Sequence, residues 1–181
     1  MQYLHGLLPV LFLAFPAVAA ALPDFSLSDP ADRVHTQRSI LERGAVVIVS
    51  IPNVKHGSVQ SRYAKHLMKA LPEDGPRLVI VEDLSQSNVR GMALRSMKSK
   101  YKPGTSTLLL LDHKGALRRA LWVPRDETAV LIFDREGRLV QRVTGLTGAD
   151  EVIDASKRLS QTAQVLASND KQKGLPSVAE K

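Results

Sequence analysis

The stretch Pro52-Asn-Val-Lys-His-Gly-Ser58 brings an amide, an ammonium, an imidazole and a hydroxyl together within seven residues. An apolar run precedes it and a helical hydrophobic period follows it. The loop is therefore expected at the C-terminal end of a strand, feeding a helix N-terminus. Such a place offers unpaired backbone N–H groups and the positive end of the helix dipole. With Lys55 and His56 adding charge, a small anion or a carboxylate is the ligand that fits. The plainer alternative is that Asn53 and Ser58 cap the helix and Lys55 is solvated. Both readings stay open. Arg125 and Thr128 complete the candidate binding set of Asn53, Lys55, His56, Ser58, Arg125 and Thr128.

Other chemistries find less support. The chain has no cysteine, which removes thiolate nucleophiles, disulfides and thiolate metal ligands together. His35, His56, His66 and His113 show no His-x-His or His-Glu-x-x-His spacing, and Asp112, Asp126, Glu127 and Asp134 sit in turn-like segments. No metal is expected. A serine hydrolase would need a Gly-x-Ser-x-Gly elbow, and His56 stands too close in sequence to Ser58 to act as its base. Asp83, Ser85, Ser87 and Asn88 follow a strand and read as an N-cap. Gly145-x-x-Gly148 is too short for a phosphate loop, so no cofactor is expected and no catalytic residue is assigned. Whether the chain is an enzyme stays open, with the balance against. Trp122 is expected in the core or against the Arg125 loop, with a surface contact as the alternative.

Four runs set the frame that must position these groups: Val46–Val49, Leu78–Val81, Leu108–Leu111 and Val130–Phe133. Continuous rather than alternating hydrophobicity predicts strands covered on both faces. Asp112–Gly115 and Asp134–Gly137 are Asp-x-x-Gly turns, the second closing a hairpin with Leu139–Val143. Asp24–Leu27 reads as an edge strand, and Gln37–Glu42 as a short helix stopped by Gly44. Val59, Tyr63, Ala64, Leu67, Met68 and Leu71 share one helical face, ended by Pro72. Val89, Met92, Ala93, Met97 and Tyr101 form a second stripe. A third helix opens at Thr147–Asp150, with Val152, Ile153, Leu159 and Val165 on its apolar side. The order β, short α, β, α, β, α, β, β, α predicts an α/β fold of three layers, a central mixed sheet with helices on both faces.

The first 23 residues carry no Lys, Arg, Asp or Glu, and the apolar run ends in Ala17-Val-Ala-Ala-Ala21. This is the pattern of a secretory signal over residues 1–21, a retained N-terminal anchor being the alternative. A domain over 22–166 follows, then a tail over 167–181 expected to be disordered. No later segment approaches span length, so no stable membrane span is expected once the signal is removed. The net charge is +7. Its cations are spread from Arg33 to Lys181, and aromatics make up only 4%, too few for a base-stacking platform. Nucleic acid is therefore not expected as a partner, and a solvated basic surface accounts for the charge.

Leu22-Pro-Asp-Phe-Ser-Leu-Ser-Asp29, Gly44–Pro52 and Thr128–Arg138 resemble segments of the redoxin branch of the thioredoxin-like superfamily. Gly91–Ser96, Leu108–Trp122 and Asp126–Val140 resemble more closely the YtfJ family of bacterial periplasmic proteins. Together these segments cover most of residues 22–160. The resemblance implies a thioredoxin-like fold and a periplasmic location. Thiol chemistry does not carry over, because Asn53, His56 and Ser58 cannot replace sulfur and Thr128 stands where the superfamily keeps its cis-proline. The implied function is a non-redox binding or accessory protein whose partner is an envelope protein or a small anion. Its contact face would carry Pro52–Ser58, Ser85–Asn88 and Pro124–Thr128. Two alternatives stay open: an enzyme of non-thiol mechanism on that face, and a basic protein adhering to anionic envelope components. The oligomeric state is left open.

Overall fold

All four apolar runs form strands in the computed structural model, which describes residues 21–51, 57–72, 75–85, 94, 95, 98, 107–145 and 148–174. In chain order the strands are Ser26–Ser28 (β1), Val34–Thr36 (β2), Val46–Ile51 (β3), Arg77–Asp83 (β4), Thr107–Asp112 (β5), Ala129–Phe133 (β6) and Leu139–Thr144 (β7). They build one seven-stranded sheet in the order β2-β1-β5-β4-β3-β6-β7. β3, β4 and β5 are parallel, whereas β6 and β7 close one side and β1 and β2 the other in antiparallel fashion. The sheet is thus mixed, as expected.

Helices cover both faces, which is why the central runs are apolar throughout. Gly57–Ala70 (α2) and Ala149–Gly174 (α4) bury Val59, Tyr63, Leu67, Val152 and Leu159 against Val47, Val49, Leu78, Val130 and Ile132. On the other face Gln37–Leu41 (α1) and Ala116–Ala120 (α3) contribute Ile40 and Leu117 to a cluster with Val46, Ile48, Val79, Val81, Leu110 and Phe133. A fully buried large apolar side chain is worth roughly 1.5–3 kcal/mol. Packing on two faces therefore holds this cysteine-free chain together.

Several expectations need correction. β2 was not anticipated; it pairs with β1 in a hairpin, Leu27 opposite His35. Asp29 stabilises that hairpin by accepting from the Ala31 and Arg33 N–H groups and from Arg33 Nε at 2.8 Å. These partners outweigh burial and hold its carboxyl down at about 2. α3 was not anticipated either; only the Asp112–Gly115 turn before it was read. Met68 and Val165 are 50% and 60% exposed and do not belong to the apolar faces. The true stripe of α4 is Val152, Ala155, Ser156, Leu159, Ser160 and Ala163, all buried. Its two serines hide because each donates within its own helix, Ser156 to the Val152 carbonyl and Ser160 to that of Lys157. Small residues let the helix lie close to its neighbours, a feature that counting large apolar residues overlooks. The stripe over Val89–Tyr101, Thr147, and residues 1–20 and 175–181 lie outside the described residues.

Residues 167–174 of the expected tail belong to α4, which continues through Gly174. Asp170 Oδ2 accepts the Ala45 N–H at 3.2 Å, tying the last turns of α4 to the start of β3. Gly44 beside it holds φ +100°, and a Cβ there would meet the same carboxylate at 2.9 Å. Asp170→Ala is expected to lower stability by about 1 kcal/mol, the typical net worth of one hydrogen bond. Removal of residues 167–181 should cost more, read as a lower urea midpoint. A truncated chain as stable as the full one would restore the disordered-tail reading.

Candidate functional site

The C-terminal ends of β3, β4 and β5 meet the start of β6, so one end of the sheet collects the loops that follow the parallel strands. This is where open α/β sheets present their ligand-binding residues. The register sets the layout: Ile51 lies opposite Glu82 on one side, and Ser50 opposite Ala129 on the other. Thr128 therefore stands about 10 Å from Glu82, two strand spacings across β3. α2 begins at this end with Gly57.

On the side of α2, Gln60 Nε2 donates to Glu82 Oε1 at 3.3 Å. That long contact does not offset desolvation, and burial pushes the Glu82 carboxyl up to about 7 from 4.5. Two further groups are held without partners. The Tyr63 hydroxyl and the Thr128 hydroxyl are buried with no hydrogen bond, in residues only 1% and 5% exposed. Burial, reinforced by the charge of Glu151 and opposed by Arg158, raises the Tyr63 phenol to about 12. It stays protonated, with a proton free to donate, and is no nucleophile. These groups make hydrogen-bonding chemistry: a carboxyl that exchanges its proton near neutrality, and two hydroxyls with spare capacity.

The opposite face carries an ion pair. Arg118 Nε meets Asp83 Oδ2 at 2.7 Å, with both side chains nearly inaccessible to water. The same guanidinium donates to the Val123 carbonyl at 2.9 Å, and Asp83 Oδ1 accepts from the Ser85 N–H. Asp112 caps α3, accepting from the N–H groups of Ala116, Leu117 and Arg118. Asp83, read above as part of an N-cap, is thus the buried partner of a cation that lies 35 residues away.

The predicted binding residues are only partly brought together. Ser58 lies exposed in the first turn of α2, inside the helix rather than before it. Arg125 is exposed and Thr128 buried, so these two do not form one surface. Asn53, Lys55 and His56 lie outside the described residues. Trp122, expected to pack inside, is 83% exposed. Glu82, Gln60, Tyr63 and Arg118 were not recognised from sequence. Glu82 alone left a trace, as an acid still within a β-rich run. Among the described residues no group of three or more His, Asp or Glu could hold a metal ion.

The architecture is that of the thioredoxin-like α/β fold. A thioredoxin described as a pneumococcal exposed lipoprotein of Streptococcus pneumoniae superposes with a TM-score of 0.55 at 16% identity, covering 75% of this chain and 99% of that one. A peroxidoxin of Mycobacterium tuberculosis gives 0.53 at 14%, covering 78% and 94%. A mutant peroxiredoxin Q of Xanthomonas campestris gives 0.56 at 18%, covering 77% and 92%. At such identities the likeness shows the fold alone. No family model matches the sequence, and no curated protein does. The chain thus has a redoxin-type frame while containing no sulfhydryl.

Two outcomes test this geometry. The unfolded chain releases the Glu82 proton near pH 4.5 and the folded one near 7. The fold holds more protons in that window, so this group's contribution to stability falls as pH rises from about 4.5 to 7 and is level above. Glu82→Gln should be more stable than wild type by about 1–3 kcal/mol at pH 8, with the difference vanishing near pH 4. Chemical denaturation of both at each pH reads it, and a pH-independent difference would refute the buried acid. Arg118→Met leaves Asp83 buried and unpaired, and a loss of about 3–5 kcal/mol is expected in the same assay.

Proposed function

We propose that this chain is a non-redox binding or accessory module of the exported, periplasmic space, related to the YtfJ family. Its contact face is the sheet end that carries Pro52–Ser58, Ser85–Asn88 and Pro124–Thr128. One observation carries the reading: a thioredoxin-like frame built from a chain with no cysteine. The proteins with this frame named above include a thioredoxin and a peroxiredoxin. Reducing a disulfide or a peroxide needs a thiolate, which this chain cannot supply. What remains at the sheet end are hydrogen bonders, suited to holding a polar group of a protein or a small anion.

Export is supported by the uncharged apolar run over residues 1–21 and its small-residue exit. Leu22, the next residue, is 2% exposed and donates its N–H to the Gly137 carbonyl at 2.7 Å. Among the described residues no helix is long and apolar enough to cross a membrane.

The purified mature chain is expected to reduce insulin and consume hydroperoxide no faster than buffer. In a pull-down from envelope extract, the wild type should retain a protein partner that a Lys55→Ala/His56→Ala variant loses. Enzymatic rates in either redox assay would refute the reading. Turnover of a small molecule without a retained partner would favour an enzyme of non-thiol mechanism.

A further inference from the structure

Trp122 is the chain's only tryptophan, and it stands 83% exposed with φ +54°. Large side chains rarely enter the left-handed region, because Cβ crowds the backbone there. A tryptophan held in that region and turned to solvent is unfavourable twice over, in backbone conformation and in hydration.

The turn around it is built to hold this posture. The N–H groups of Leu121, Trp122 and Val123 donate to the carbonyls of Leu117, Arg119 and Arg118. The carbonyls of the same three residues are bonded as well. Arg142 reaches from β7 and donates Nη1 to Leu121 at 3.1 Å and Nη2 to Trp122 at 2.7 Å, while Arg118 holds Val123. Leu121 and Val123 are buried at 6% and 2% exposure. The flanking residues are thus anchored in the core, and the indole between them is held outward without freedom to fold back.

Exposed cations outnumber acids along this turn. From His113 to Arg125 the sequence contains Lys114, Arg118, Arg119 and Arg125, and Asp126 and Glu127 follow. Arg118 is neutralised by Asp83, whereas Lys114, Arg119 and Arg125 are exposed. Arg142, also exposed, sits directly beneath. An amphipathic ring favours the interfacial zone of a bilayer, and each cation near an anionic leaflet adds attraction.

We infer that the Leu121–Val123 turn docks the protein on an anionic lipid surface, Trp122 entering the headgroup region while Lys114, Arg119 and Arg125 face the lipid phosphates. This contact is separate from the Glu82 edge and does not depend on the binding partner proposed there. It is peripheral, needing no spanning segment, and it weakens with salt.

The single indole is its own probe. Tryptophan emission of the mature chain is measured against vesicles of phosphatidylglycerol with phosphatidylcholine, and against phosphatidylcholine alone. A blue shift and intensity gain are expected with the anionic vesicles only, reversed by high salt. Vesicle co-sedimentation should show about thirtyfold weaker binding for Arg119→Gln/Arg125→Gln. Trp122→Asn should also lose binding while keeping its urea midpoint or raising it, since Asn tolerates the left-handed conformation. Unchanged emission with anionic vesicles overturns the inference. So does a Trp122→Asn variant that unfolds more easily yet binds vesicles as well as wild type, because the indole would then be structural. A shift with polyglutamate but not with vesicles would overturn it too, and would assign the turn to an acidic protein.

Discussion

The buried contact between Arg118 and Asp83 is the interaction on which one end of this molecule depends. Neither charge is tolerable alone in an environment so nearly dry, and each is satisfied by the other at 2.7 Å. Through it the end of β4 is fastened to α3, and through the Val123 carbonyl α3 is fastened to the chain that leads into β6. Asp112, at the end of β5, caps the same short helix. A five-residue helix would not persist by itself. Here two acids from neighbouring parallel strands hold it, and it delivers Leu117, Leu121 and Val123 to the core.

The same sheet end on its other face has a different character. The described polar groups on this face are a neutralisable carboxyl, an amide and two hydroxyls. None of these carries electrons. Each can hold a polar group in a site of low dielectric, where hydrogen bonds gain strength. The half-buried Glu82 adds a response to pH that an ordinary surface acid lacks. A frame shared with redox proteins thus does not fix the chemistry, in keeping with the rule that function lies in the site and not in the fold.

Much of the architecture was legible. Val46–Val49, Leu78–Val81, Leu108–Leu111 and Val130–Phe133 announce doubly covered strands because burial on both faces forbids alternation. Asp134–Gly137 announces its hairpin by turn chemistry, and Gly44 the stop of α1. Less legible were β2, whose three residues carry no apolar pattern, and the face of α4, where Ala and Ser do the packing. The candidate site was legible mainly as a location. Ser58 and Arg125 lie exposed, whereas Thr128 is buried and Glu82 went unremarked.

The difference has a physical origin. Strand and helix positions, turns and the want of cysteine can be read from the chain itself, so the chain alone determined them. Whether a polar side chain is dry, paired or exposed depends on which distant segments meet it. Gln60 finds Glu82 across 22 residues and Arg118 finds Asp83 across 35. Trp122, an apolar residue that local reading sends inward, is held outward by Arg142 from another strand. Those pairings exist only once the sheet has brought its strand ends together, and tertiary structure alone decided them.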